Sequence, residues 1–212
     1  MKFDLKWQKQ LHFALNPKSV LFDENNLYLT ERRKKLSKVD VATGETVWST
    51  TLKDGYGFIS HSNDKLFYMS SGDGLCAFKK DTGELLSQQK FNFPYLGYVT
   101  VCENIILTGG WRGYTDLCAY ELKTNKLIWS HNTKTRELQK FSLPSYLGNN
   151  RIVTVNHSTN LIKFIDVRSG KLLSESGLPE GLKHLDMGGS YRIIDNEVTF
   201  LTDKAKLFKL VL

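Results

Sequence analysis

KVDVATGETVW, residues 38–48, recurs three more times along the chain, as AFKKDTGELLS (77–87), AYELKTNKLIW (119–129) and FIDVRSGKLLS (164–174). Each copy has an apolar or aromatic strand, a turn, a charged residue and a second apolar strand. The turns are Thr43-Gly44, Thr82-Gly83, Thr124-Asn125 and Ser169-Gly170. Gly and Asn are the residues a tight turn takes where φ becomes positive. The last template position falls at Trp48, Ser87, Trp129 and Ser174, which gives spacings of 39, 42 and 45 residues. A period near 42 with several short strands per unit is the pattern of propeller blades. Solenoid repeats of that length are helical, whereas apolar residues here alternate at period two, as in LFYMS (66–70) and VTFLT (198–202).

Working outward, each unit resolves into four strands. In the first, Ser19–Phe22 turns through Asp23–Asn26 into Leu27–Thr30, and Arg32–Lys35 connects to Leu36–Val41 and Thr46–Leu52. The second repeats this with Gly57–His61, Leu66–Ser70, Leu75–Lys79 and Glu84–Phe91. The turns between first and second strands read DENN, SNDK, CEN, GNN and DNE, and five such turns predict five blades. The last has only three strands before the chain stops: Ser190–Ile194, Val198–Thr202 and Leu207–Leu212. The N-terminus supplies the fourth, because Leu5-Lys6-Trp7 with Gln8–Leu11 matches Thr46-Val47-Trp48 with Ser49–Leu52, and Trp7 precedes Trp48 by 41 residues. Closure of that kind hides two strand edges. The expectation is an all-β chain of 212 residues forming one five-bladed β-propeller domain, 1–212. Blade 1 spans about 19–52, blade 2 about 56–91, blade 3 about 96–132, blade 4 about 142–176, and blade 5 about 185–212 plus 3–11.

At these residues the chain resembles the pyrroloquinoline-quinone-type (PQQ-like) propeller repeat, whose motif reads Ala-x-Asp-x-x-Thr-Gly-Lys-x-x-Trp. Asp40, Thr43, Gly44 and Trp48 match it, as do Ala77, Thr82 and Gly83. Ala119, Thr124, Lys126 and Trp129 match in the third copy, and Asp166, Gly170 and Lys171 in the fourth. The resemblance covers nearly the whole chain and implies that the Trp packs on the Gly turn of a neighbouring blade, an architectural role. The quinone-dependent dehydrogenases of that family are similar in repeat but eight-bladed, with a calcium site and a catalytic aspartate. This chain shows no counterpart of that site, so the resemblance implies a non-enzymatic member, without cofactor or metal.

Composition is ordinary for a globular protein: 41% hydrophobic, 24% charged, four prolines. A single domain of this size buries about 70% of its unfolded surface and needs no staples. The N-terminal MKFDLKWQKQLHF lacks a signal-peptide apolar run, and no stretch approaches a membrane span, so the expected location is cytoplasmic. Cys76, Cys102 and Cys118 sit in apolar strand-like runs and read as buried thiols, with no CxxC pair or Cys–His cluster for zinc. His12, His61, His131, His157 and His184 lie in different repeats without ligand spacing and read as structural. A Gly-rich phosphate loop and GxSxG are both absent.

Function on a rigid scaffold collects in loops. The tight turns form one face. The loops between second and third strands, with the blade-to-blade crossings, form the other, which is irregular, aromatic and mainly basic. It carries Arg32, Arg33 and Lys35, Tyr56, Tyr95, Trp111, Arg112 and Tyr114, His157 and Lys204, the candidate binding residues. Trp111, Arg112 and Tyr114 share a six-residue loop and are of the types enriched at binding hot spots. The structural alternatives are that Trp111 plugs the central hole and that the cations of 32–35 form a solvated hairpin loop. A formal net charge of +7 favours an acidic partner.

The leading reading is a binding scaffold presenting this face to an acidic protein surface, as an adaptor or a toxin-immunity protein. A glycan or small-ligand propeller is the alternative, although unequal loops disfavour identical sites. A channel hydrolase or lyase ranks lower because the innermost strands SVLF, GFIS, YVTV, SYL and YRII carry no carboxylates. Nucleic acid is disfavoured, because Lys and Arg form only one cluster. A monomer is expected, since a closed propeller leaves no free sheet edge.

Overall fold

Period-two sequences of β-branched and aromatic residues become strands along the chain, and no helix occurs among the described residues. The structure, a computed structural model, describes residues 8, 15–23, 25–31, 34–54, 57–70, 72–91, 98–109, 117–131, 144–156, 159, 161–177, 191–194, 197–201 and 207–211. The chain divides into two compact units, Met1–Pro94 and Tyr95–Leu212.

The first unit holds two four-stranded antiparallel meanders. One comprises β1 (Leu15–Asp23), β2 (Asn26–Glu31), β3 (Lys35–Asp40) and β4 (Thr46–Thr51). The other comprises β5 (Phe58–Ser62), β6 (Lys65–Ser70), β7 (Gly74–Lys79) and β8 (Leu85–Gln89). The second unit holds two more: β9 (Tyr98–Cys102), β10 (Ile105–Gly109), β11 (Cys118–Glu121) and β12 (Leu127–Ser130), then β13 (Ser145–Gly148), β14 (Arg151–Asn156), β15 (Leu161–Asp166) and β16 (Leu172–Gly177). A three-stranded meander follows, β17 (Tyr191–Ile194), β18 (Glu197–Leu201) and β19 (Leu207–Val211). The four-strand repeat read from the sequence is therefore present four times. β1 begins four residues earlier than the expected Ser19, with a register break between Leu15 and Val20. Most of the residues expected to complete the last blade, about 3–11, lie outside the described residues.

In the four-stranded sheets the second strands are largely buried, as are the third strands β3 and β7, while β11 and β15 are mostly half-buried and the fourth strands β4, β8, β12 and β16 are mostly exposed. In the first unit Tyr28, Leu36, Leu52, Leu66, Tyr68, Cys76 and Phe78 form a core between the two sheets, with Trp48 and Ile59 against it. In the second, Cys102, Leu107, Leu117, Ala119, Ile152, Ile165 and Val167 do the same, with Trp129 and Tyr146 packed on. Fully burying an aliphatic side chain such as Leu36 or Ile152 stabilises by about 1.5–3 kcal/mol. The cysteines are free; Cys76 and Cys102 are buried as expected, and Cys118 is half-buried.

The third-to-fourth turns are built alike. In the first sheet the N–H of Gly44 donates to the Asp40 carbonyl (2.8 Å) and that of Asp40 to the Glu45 carbonyl (2.9 Å). The pair of bonds recurs at Lys79/Gly83/Glu84, Glu121/Asn125/Lys126 and Asp166/Gly170/Lys171. Asn125 takes the same left-handed backbone (φ 60°) as the glycines, which Asn tolerates. Beyond each turn the register slips by one, so every fourth strand carries a bulge.

Candidate interaction surface

A loop face is only as rigid as the joints between its blades, and the turn residues make those joints. Trp48 of β4 lies on the turn after β7: its indole N–H donates to the Lys80 carbonyl at 2.9 Å. A Cβ placed on Gly83 would stand 2.6 Å from the ring, so only glycine lets the indole seat. Trp129 of β12 repeats the joint, donating to the Val167 carbonyl at 2.9 Å over Gly170. His131 adds to it, with Nε2 2.7 Å from the Gly170 carbonyl and its ring edge-on to Trp129. The architectural reading of Trp48, Gly83, Trp129 and Gly170 holds, and His131 is a structural histidine as read.

Charged groups reinforce both joints. Asp23, in the first turn of the first sheet, pairs with Lys80 of the next, and His61 stands 3.8 Å away. Burial pushes the His61 imidazole below its ordinary value, partly offset by Asp23. In the second unit Glu103 accepts from the Tyr146 hydroxyl (2.8 Å) and pairs with Arg168 (3.2 Å). Those partners, the Tyr146 hydroxyl first, hold the Glu103 carboxyl below the usual carboxylate range. Asp40 is held low by the N–H of Thr43, and Asp166 by the hydroxyl and N–H of Ser169.

At the opposite end of the sheets, where the binding residues were expected, Lys35 is half-buried as the first residue of β3 and pairs in register with Glu31 and Thr51. Arg32, Arg33, Tyr56, Tyr95, Trp111, Arg112, Tyr114, His157 and Lys204 lie outside the described residues. The described part of that end is organised by Asp73. Its carboxylate accepts from the backbone N–H of Lys53 (3.0 Å) and Asp54 (2.8 Å). Ser70 donates its hydroxyl to that carboxylate and accepts the Asp73 N–H. Gln88 donates to the Asp73 carbonyl at 2.8 Å, and the Tyr68 hydroxyl donates to the Asp54 carbonyl. Asp73 is 5% exposed, so this is a latch that fixes the crossing from β4 to β5 against the β6–β7 loop. In the second unit Asn156 plays a smaller version, accepting the Thr159 N–H. Sequence reasoning missed this latch.

The reading also missed a set of exposed aliphatic side chains on the fourth strands, among them Leu85, Leu127 and Leu173. Among the described residues no group of three or more His, Cys, Asp or Glu side chains could hold a metal ion, and no helix is long and apolar enough to cross a membrane. The buried thiols are pushed up, Cys76 to about 11 and Cys102 to about 12, chiefly by burial. Groups this well shielded are poor nucleophiles.

Solved structures show the same fold. BamB from Moraxella catarrhalis is 14% identical, with a TM-score of 0.62 over 98% of this chain and 63% of that one. The β-propeller domain of Cps50 (Swd1) from Myceliophteria thermophila is 9% identical, with a TM-score of 0.71 over 96% and 66%. The computationally designed Ika8 is 15% identical, with a TM-score of 0.58 over 91% and 57%. The chain thus spans less than two thirds of the length of each. No curated protein is significantly similar in sequence. A family described as outer membrane protein assembly factor BamB matches residues 4–204. The repeat, the Trp-on-turn joints and that match agree: the chain is a β-propeller of PQQ-like repeats and belongs to the BamB family.

Proposed function

We propose that the chain is a binding scaffold without chemistry of its own, a five-bladed propeller whose irregular basic and aromatic loop face receives an acidic protein surface. The family match over residues 4–204 carries this reading, since the description is that of an assembly factor. By analogy the partner is a component of a larger assembly. Two features of the fold support it. The Trp–turn joints and the Asp73 latch make a stiff platform, and preorganised loops lose less entropy when they bind. The sheet β17–β19 has three strands where the other sheets have four, and Leu5–Leu11 is the segment whose sequence and spacing would supply a fourth.

Affinity purification tests the reading, with the wild-type chain beside a Trp111→Ala, Arg112→Ala, Tyr114→Ala variant that keeps its circular dichroism spectrum. The expected result is a specific acidic protein held by the wild type and released by the variant. If both retain the same partner, the loop assignment is wrong. Retention of no protein by either chain, with a glycan or small ligand bound instead, replaces the scaffold reading.

A further inference from the structure

Each four-stranded sheet ends on a fourth strand beside which no described strand lies. Sheet by sheet, the outer edge of the fourth strand is unpaired among the described strands. In three of these strands the two residues after the turn are an exposed aliphatic pair: Leu85 with Leu86, Leu127 with Ile128, and Leu172 with Leu173. In β4 the equivalent exposed residue is Val47. Leu127 is 55% exposed and Leu85 50%, large values for side chains that gain by leaving water.

The charge before each aliphatic group differs between the units. It is Glu45 and Glu84 in the first, Lys126 and Lys171 in the second. All four are exposed, and none joins an ion pair among the described residues. Whole turns follow the same trend. Residues 40–45 carry Asp40 and Glu45, net −2, and residues 79–84 carry Lys79, Lys80, Asp81 and Glu84, net 0. Residues 121–126 (Glu121, Lys123, Lys126) and 166–171 (Asp166, Arg168, Lys171) are each net +1. One molecule therefore carries the same aliphatic step in two versions, one flanked by carboxylates and one by ammonium groups.

We propose that the chain self-associates edge to edge, the Glu-flanked aliphatic step of one copy seating against the Lys-flanked step of another. Opposite charges set the pairing, and like edges repel. The bulge in every fourth strand bends the edge and interrupts its ladder, which disfavours sheet extension across copies. Contact is thus made by side chains, and the association is reversible, concentration-dependent and weakened by salt. Its surface is the outer strands, not the loop face, so it stands independently of the partner proposed above.

Sedimentation velocity tests it across a concentration series at low and high salt. Two charge-reversed variants are used: Lys126→Glu with Lys171→Glu, and Glu45→Lys with Glu84→Lys. The substituted side chains are exposed, and circular dichroism checks the fold. Each variant alone is expected to associate roughly tenfold more weakly than wild type, because attractive contacts become repulsive. Mixed in equal amounts, the two should associate again as mixed complexes. A wild-type chain that sediments as a monomer throughout overturns the proposal. So does a mixture no more associated than its components, or reversal that leaves association unchanged.

Discussion

Gly170→Ala isolates what the Trp-on-turn joint contributes. The glycine sits at φ 71°, where a Cβ costs about 1 kcal/mol in backbone strain. Its added methyl would also stand 2.6 Å from Cδ2 and 2.8 Å from Cγ of Trp129. Those atoms belong to the root of a ring pinned by its hydrogen bond to the Val167 carbonyl and edged by His131, so the whole indole has to move. Overpacking of this kind, with the weakened hydrogen bond, costs about 2 kcal/mol more. The total is about 3 kcal/mol, or a Tm lowered by about 6–12 °C for a chain of this size. Gly148→Ala is the matched control. It has the same left-handed backbone, φ 79°, and nothing within 4 Å of its added Cβ, so only the strain of about 1 kcal/mol remains. Urea unfolding followed by circular dichroism gives both values. Equal losses in the two variants refute the joint as a source of stability; a difference of about 2 kcal/mol is the reasoning's result.

Asp73→Ala leaves the N–H groups of Lys53 and Asp54 without their acceptor. It should cost about 2 kcal/mol in urea unfolding, with Asp73→Asn about half that because one acceptor oxygen remains. Lys79 occupies the position at which Asp40 and Asp166 accept a turn N–H. Lys79→Asn should therefore stabilise by about 0.5–1 kcal/mol, read as a raised midpoint. Glu103 is depressed in the folded chain, so its stabilisation is present above the unfolded carboxyl value of about 4.3 and is lost as pH falls through the lower folded value. Stability measured across that acid window should fall less steeply in Glu103→Gln than in wild type. Cys76 and Cys102, pushed up to about 11 and about 12, should resist an alkylating reagent at pH 8 and react only after denaturant is added, as mass spectrometry would count.

What could be read from sequence is what obeys a local rule. A turn that needs a left-handed residue selects Gly or Asn wherever it recurs, so Gly44, Gly83, Asn125 and Gly170 mark the repeat in the sequence itself. The Trp48 and Trp129 joints followed, because the motif couples the indole to that turn. The Asp73 latch escaped for the opposite reason. Its partners, Lys53 and Asp54, lie about twenty residues away and offer only backbone N–H groups, so no side-chain pattern announces them. Arg168 and Glu103 are 65 residues apart and likewise have no local signature.

The aliphatic pairs escaped because an apolar strand does not by itself show which of its residues face water. In a four-strand meander the last strand has a neighbour on one side only, and the bulge after the turn breaks the alternation that sorts inward from outward positions. Strand order, not hydrophobicity, puts Leu127 and Ile128 in water. The same logic separates scaffold from function in this fold. Residues that repeat with the period hold blades together, because every blade has the same joint to make. Groups that break the period, such as Asp73 and the Glu-to-Lys change after the turn, answer to something other than the joint. In a repeat protein those departures are where specificity can be written without disturbing the fold.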